Sequence, residues 1–117
     1  MVVHNERADR VFQALADATR RDILRRCGQE AASVSRLAEA YPMSFAAVQK
    51  HVAVLERAGL VSKRRSGREQ LVSAVPEALR EARRALDELE QTWRGRVDRM
   101  AGLLAEPPRR TQEGTDR

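Results

Sequence analysis

The chain has 117 residues, 42% hydrophobic and 33% charged, so its length and composition predict a single domain with one modest core. Twenty-two Lys and Arg against seventeen Asp and Glu give a net charge of +5, which favours a polyanionic partner such as nucleic acid or a lipid surface. The apolar runs are too short to cross a bilayer and the first residues lack the apolar stretch of a secretory signal, so we expect a soluble, cytoplasmic protein with no membrane partner.

The excess of positive charge is concentrated in residues 44–70. This segment holds six basic and two acidic residues, a net +4 of the total +5. A concentrated basic patch is a stronger indication of nucleic-acid binding than a uniformly basic surface, and a solvated charged face is the alternative.

Two short helices are predicted at the start of the chain. Apolar residues at helical spacing predict the first over residues 7–15. Asp17 is a suitable N-cap for the second, over residues 18–27, and Gly28 is expected to end it as the C′ residue.

A third and a fourth helix follow, separated by a tight turn. The third is predicted over residues 34–41, because Pro42 cannot continue it. Ser44 is a fresh N-cap for the fourth, which runs over residues 45–58 until Gly59. This fourth helix has the clearest start and stop signals in the chain.

The pattern then changes to a hairpin and a long helix. Residues 60–75 are β-prone, with Ser66 and Gly67 between charged flanks, which predicts a hairpin with a basic tip. A heptad-like spacing of apolar residues predicts a long helix over 77–105, after Pro76. Residues 106–117 have no apolar anchor, so we expect a disordered tail.

This order of elements predicts a winged helix-turn-helix. The expected fold is mainly α with a small β-hairpin, one domain over residues 1–105, with the helix-turn-helix at about 34–58 and the wing at about 60–75. Helical geometry places Val48, Val52 and Leu55 on the packed side of the fourth helix. The DNA-binding residues predicted on and around the opposite side are Ser44, Phe45, Ala46, Gln49, Lys50, His51 and Ala53.

Side-chain chemistry suggests roles on double-stranded DNA. Gln49 can bind adenine N6 and N7, and Lys50 can reach guanine acceptors or a phosphate. Phe45 can contact a thymine methyl or pack on its own domain, and His51 can make an interhelical hydrogen bond or contact a phosphate. In the wing, the residues predicted to contact the DNA backbone or minor groove are Lys63, Arg64, Arg65 and Arg68.

The long C-terminal helix predicts a homodimer. A helix over residues 77–104 would be about 42 Å long at 1.5 Å per residue, so its apolar seam needs a partner, and a second copy is the simplest one. The predicted dimer interface comprises Val11, Phe12, Leu15, Leu79, Leu86, Leu89, Trp93, Val97, Met100 and Leu104. A twofold dimer predicts a palindromic operator and repression by blocking promoter access.

Two stretches resemble the ArsR-type winged helix-turn-helix repressors. They are residues 44–61, SFAAVQKHVAVLERAGLV, and residues 14–27, ALADATRRDILRRC, which resemble the recognition helix and the helix before the helix-turn-helix. The resemblance covers about residues 7–75 and implies a DNA-binding repressor with a C-terminal dimerisation helix. Ala18 stands where the family commonly has Pro. The commoner recognition residues of the family are replaced here by Phe45, Ala46 and Gln49, so the resemblance implies no base preference.

Metal sensing, which this family resemblance raises, is not predicted. Residues 29–43 lack the paired cysteines of the family's thiolate site, and residues 76–105 lack the histidines of its C-terminal site. Cys27 is interpreted as a core residue, with a redox thiol as the alternative. We therefore expect no metal and no cofactor, and nothing in the sequence identifies a small-molecule effector.

Two other functional classes are alternatives to DNA binding. An enzyme is not expected, because the sequence has no Gly-rich phosphate loop, no nucleophile with a base, and no metal cluster. A winged-helix protein-interaction module without specific DNA binding is the alternative, and the +4 charge of residues 44–70 counts against it.

Overall fold

The computed structural model describes residues 5–104, and the chain divides after Arg84 into two compact units. The elements are α1 (Glu6–Leu15), α2 (Ala18–Gln29), β1 (Ala32–Ser33), α3 (Val34–Glu39), α4 (Phe45–Arg57), β2 (Val61–Ser66), β3 (Glu69–Ala74) and α5 (Pro76–Leu104). The strands form one antiparallel sheet in the order β1-β3-β2. The predicted class, mainly α with a small β-hairpin, is confirmed.

Short polar side chains begin the first four helices. Asn5 and Asp17 accept the backbone N–H groups of the third helical residues of α1 and α2, at 3.1 and 3.0 Å. The Ser33 and Ser44 hydroxyl oxygens do the same for α3 and α4, at 3.0 and 3.1 Å. Each cap satisfies an amide that has no partner within its helix, so these polar residues determine where the helices begin.

Two predicted helix ends are wrong. Helix α2 continues through Gly28 to Gln29: the Glu30 amide still bonds to the Arg26 carbonyl at 3.1 Å, and glycine costs a helix only about 0.5–1 kcal/mol relative to alanine. Helix α3 ends at Glu39, two residues before the predicted end, in a tight turn in which Ala40 N–H bonds three residues back. By contrast, Gly59 has a φ of 77° and ends α4 as predicted.

Two arginines of α2 complete the C-terminal end of α1. Arg20 donates from Nε to the Ala14 carbonyl at 2.7 Å and from Nη2 to the Gln13 carbonyl at 3.0 Å. Arg21 donates from Nη1 to the Leu15 carbonyl at 2.6 Å. Because the last turn of α1 has no basic residue of its own, these contacts supply the positive charge that favours a helix C-terminus. The paired arginines therefore have a structural role.

The sheet contains one strand that the sequence did not indicate. Strand β1 pairs with β3 through Ala32 opposite Val72 and Ser33 opposite Leu71. Its two residues are too few to show the alternating pattern of a strand. The hairpin of β2 and β3 turns at Gly67, whose φ of 62° is readily available only to glycine.

The core of the first unit draws on every helix. Its buried members are Val11, Ala14, Ile23, Cys27, Val34, Leu37, Val48, Val52, Leu55, Leu60, Val61, Val72, Ala78 and Ala82. Val11, predicted at the dimer interface, is only 1% exposed, so it is a core residue of the protomer. Phe12 and Leu15 are half-buried against the same core. Because α5 supplies Ala78 and Ala82, its first turns belong to the folded domain.

The predicted apolar seam of α5 is exposed in the single chain. Leu79 in the first unit is 40% exposed, and Trp93 in the second unit is 70% exposed. The other exposed seam residues are Leu86, Leu89, Val97, Met100 and Leu104. No helix between residues 5 and 104 combines the length and apolar character that a membrane span requires. The predicted tail, residues 106–117, lies outside the described residues.

Candidate nucleic-acid interface

The helix-turn-helix is formed by α3, the turn at residues 40–44, and α4. The side chains of Val48, Val52 and Leu55 are at most 1% exposed, as the helical spacing predicts for the packed side. These side chains pack α4 against the rest of the first unit, so the other side of the helix is available to a partner.

The outer side of α4 presents small, polar and basic groups. Ala46, Gln49 and Lys50 are exposed, and Ala53 is half-buried. Phe45, in the first turn, is 47% exposed, an unusual position for an aromatic ring. The Ser44 hydroxyl oxygen accepts the Ala47 amide, so this residue shapes the start of the helix. The other first-turn amides have no acceptor within the helix and carry its positive dipole.

His51 lies at the edge of this surface. It is half-buried, and it has an electrostatic effect on Asp17, the N-cap of α2. The Arg20 amide is the main reason that the pKa of Asp17 is lowered, and nearby His51 adds to that effect. His51 is therefore less exposed than Ala46, Gln49 and Lys50, and its contact with DNA stays a prediction.

The wing is attached to α4 by an ion pair. Lys63 Nζ of β2 lies 3.4 Å from Glu56 Oε1 of α4. Because side chains alternate along a strand, Lys63 and Arg65 share a face and Arg64 points to the other. Arg65 also donates to the Gly67 carbonyl at the tip, at 3.3 Å. The predicted basic residues of the wing are thus divided between its two faces.

A groove of about 260 Å³ separates the start of α4 from the wing. Phe45 and Gln49, one helical turn apart, line it from α4. Lys63 and Arg68 line it from the wing. The groove therefore brings two residues predicted to contact bases, on α4, together with two residues predicted to contact the DNA backbone or minor groove, on the wing. This juxtaposition was not visible in the sequence.

The turn before α4 is fixed by a side-chain cluster that the sequence analysis missed. Tyr41 Oη donates to Asp22 Oδ2 of α2 at 2.6 Å, and Arg26 Nε donates to the same oxygen at 2.9 Å. Arg25 also bonds to Asp22, and the Arg26 guanidinium lies 5.5 Å from the centre of the Tyr41 ring. The spacing of the arginines three and four residues after Asp22 could have indicated their pairing. Nothing in the sequence near Tyr41 indicated that its hydroxyl would bond to Asp22.

The cluster changes the acidity of its members in a consistent way. The hydrogen bond from Tyr41, followed by those from Arg26 and Arg25, holds the pKa of Asp22 well below its usual range. Burial and the bond to Asp22 raise the pKa of Tyr41 to about 12. At neutral pH the carboxylate is therefore charged and the phenol protonated, as the bond requires.

The surface has the chemistry of DNA recognition. Amide, ammonium and guanidinium groups are the donors that contact base edges and phosphates. Among residues 5–104 there is no cluster of His, Cys, Asp and Glu able to hold a metal ion. Cys27 is buried, which raises the pKa of its thiol and makes it unreactive.

Comparison with known proteins gives consistent results. Residues 15–64 match the helix-turn-helix domain family. The chain is 40% identical over 79 residues to the HTH-type transcriptional regulator Rv2034 of Mycobacterium tuberculosis, covering 68% of this chain and 74% of that one.

Solved structures are similar over most of the chain. An ArsR-like transcriptional regulator from Rhodococcus sp. RHA1 is 32% identical, with a TM-score of 0.76 over 86% of this chain and 95% of that one. A homodimeric winged helix-turn-helix DNA-binding domain from Mycobacterium bovis, 22% identical, has a TM-score of 0.59 over 95% of this chain and 100% of that one. The latter similarity concerns the fold alone.

Proposed function

The chain belongs to the ArsR family of winged helix-turn-helix transcriptional regulators, and from this premise we propose that it is a homodimeric repressor of a palindromic operator. As a regulator of this class it is a DNA-binding protein and not an enzyme. In the proposed mechanism the dimer occupies promoter DNA and excludes the polymerase. Such a protein would act in the cytoplasm, where bacterial DNA lies.

One observation carries the proposal: α4 has one buried apolar side and one outer side suited to DNA, beside a basic wing. Gln49 and Lys50 supply donors for base edges, and the small Ala46 allows close approach. The wing adds guanidinium groups for the phosphate backbone. Sequence preference therefore resides mainly in α4 and general affinity mainly in the wing.

The exposed seam of α5 supports the homodimer. Residues 85–91 carry three acidic and no basic residues, whereas residues 92–104 carry three basic and one acidic. Two antiparallel copies related by a twofold axis across the middle of this segment would place each acidic stretch against the partner's basic stretch. Such pairing covers the apolar seam and gives the twofold symmetry that a palindrome matches. The related fold from Mycobacterium bovis is itself homodimeric.

We propose that DNA binding does not depend on a metal ion. The only cysteine is buried, and residues 5–104 hold no cluster of potential metal ligands. A signal that releases the protein from DNA would therefore act through some other chemistry.

Selection of bound duplexes from a random pool tests this function. The full chain is incubated with the pool at about 150 mM salt, because phosphate contacts make affinity strongly salt-dependent. We expect a palindromic consensus with half-site centres one helical turn, about 34–36 Å, apart. The consensus should be the same with a chelator and with a reductant. Failure to enrich any sequence would overturn the proposal in favour of a protein-interaction module.

A further inference from the structure

The ring of Tyr41 packs against the core, but its hydroxyl makes a hydrogen bond that core packing does not require. It lies in the turn between α3 and α4, three residues before the N-cap Ser44. Its ring is half-buried, and its hydroxyl reaches α2, which is 19 residues away in sequence at Asp22. The backbone of the turn is held locally, by the Met43 amide donating to the Tyr41 carbonyl at 2.9 Å. The side chain therefore joins the turn to a separate helix.

The anchor on α2 is preorganised. Asp22 receives hydrogen bonds from Arg25 and Arg26, one turn further along the same helix. These bonds hold the carboxylate in one orientation before Tyr41 reaches it, and the Arg26 guanidinium also lies over the tyrosine ring. Helix α2 is in turn held to α1 by Arg20 and Arg21. The carboxylate is thus a fixed point relative to the core.

The start of α4 is the part of the helix that must be placed accurately on DNA. The predicted base-reading residues Phe45, Ala46 and Gln49 all lie in its first turns, directly after the turn that Tyr41 holds. A small change in the direction of the N-terminal end of α4 moves these base-reading residues relative to the base edges. The salt-dependent contacts of the wing with phosphates stay in place. The conformation of this turn should therefore affect discrimination between DNA sequences more than it affects the overall affinity for DNA.

We propose that Tyr41, held by Asp22 and Arg26, is a positioning residue that aligns the recognition helix α4 for selective binding of operator DNA. The proposal rests on the proposed function, because it concerns how that same surface discriminates. It assigns a role to Asp22 and Arg26 that involves no contact with DNA.

The substitution Tyr41→Phe tests this role, because it removes a single oxygen atom and keeps the ring. The measured quantity is the ratio of dissociation constants for an unrelated duplex and for the selected operator of the same length. We expect the ratio to fall about 3- to 10-fold through weaker operator binding alone, because each protomer of the dimer loses part of the alignment that one net hydrogen bond maintains. The affinity for the unrelated duplex and the salt slope should stay unchanged.

A matched control separates positioning from general destabilisation. Ile23→Val removes one methylene from a fully buried residue that follows Asp22 in α2 but takes no part in the hydrogen-bonded cluster, and it lowers thermal stability. We expect this variant to keep the full ratio. Asp22→Asn keeps the shape of the side chain and an oxygen acceptor but loses the charge, so we expect an intermediate ratio.

A spectroscopic measurement checks the hydrogen bond independently of DNA. Tyr41 is the only tyrosine, so ultraviolet absorbance after a rapid pH jump reports its ionisation alone. The phenol should ionise near its pKa of about 12 in the folded wild type. In Asp22→Asn the pKa should fall toward the ordinary value of about 10, although burial retains part of the increase.

The outcomes are distinguishable. A reduced ratio in Tyr41→Phe, with an intact ratio in Ile23→Val, supports the positioning role. If the wild type selects an operator but Tyr41→Phe retains its full ratio, only the positioning role is overturned. If the wild type selects no operator, the proposed function is overturned and the positioning role with it.

Discussion

Phe45 offers the sharpest test of base reading by this surface. The ring is 47% exposed and lines the groove between α4 and the wing, so we expect it to contact a thymine methyl in the major groove. The perturbation is made in the DNA: each thymine of the selected half-site is replaced in turn by deoxyuridine. This replacement removes only the methyl group and leaves the base pairing unchanged.

The expected size of the effect follows from the burial of one methyl group. Removing a methyl from a dry contact costs about 0.8 kcal/mol, or about 4-fold in affinity. Both half-sites of a palindrome contribute, so symmetric replacement should cost about 15-fold for the dimer.

Fluorescence anisotropy titrations of the labelled duplexes measure this loss. In Phe45→Ala the replacement should cost nothing at the contacted thymine, whereas Phe45→Leu keeps an apolar contact and should retain part of the loss. If every replacement cost the same in the wild type and in Phe45→Ala, the reading role would be refuted. A large fall in thermal stability of Phe45→Ala would then indicate that the ring packs on its own domain.

The remaining predictions concern affinity, stability and assembly. Arg65→Ala should weaken binding to all duplexes and reduce the salt slope by about 1 to 2, whereas Gln49→Ala should mainly relax base choice; equal, uniform losses would contradict this division. Leu55→Ala should lower the free energy of unfolding in urea by about 2–5 kcal/mol because this side chain is fully buried, while the exposed Lys50→Ala should change it by less than about 0.5 kcal/mol. Trp93→Glu should give a monomer in sedimentation, and the emission of this single tryptophan in the wild type should shift to shorter wavelength as dimer forms. A persistent dimer of the variant would place the interface elsewhere.

The helix starts could be predicted because their causes are local. A capping oxygen lies within three residues of the amide that it accepts, as at Ser44 and Asp17, so the sequence contains both partners side by side. The buried side of α4 followed from the helical repeat for the same reason. These local signals established the fold class and the direction in which the recognition helix faces.

The end of α2 could not be predicted in this way. Glycine at position 28 is compatible with the end of a helix or with its continuation, and in the folded protein the helix continues to Gln29. Val11 shows the same limit: its spacing marks an apolar face but not whether that face meets the protomer core or a partner. Periodicity identifies a face, and only packing identifies what covers it.

The order of the elements, the two-sided character of α4 and the concentration of charge around it could be predicted from the sequence, since these depend on residues within a few positions of one another. Which groups from different elements meet became visible only in the folded chain. The tertiary structure paired Tyr41 with Asp22, joined the wing to α4 through Lys63 and Glu56, and placed Phe45 beside that wing. Such contacts join residues of different elements, so they depend on how those elements pack, even for Glu56 and Lys63, which are only seven residues apart in sequence.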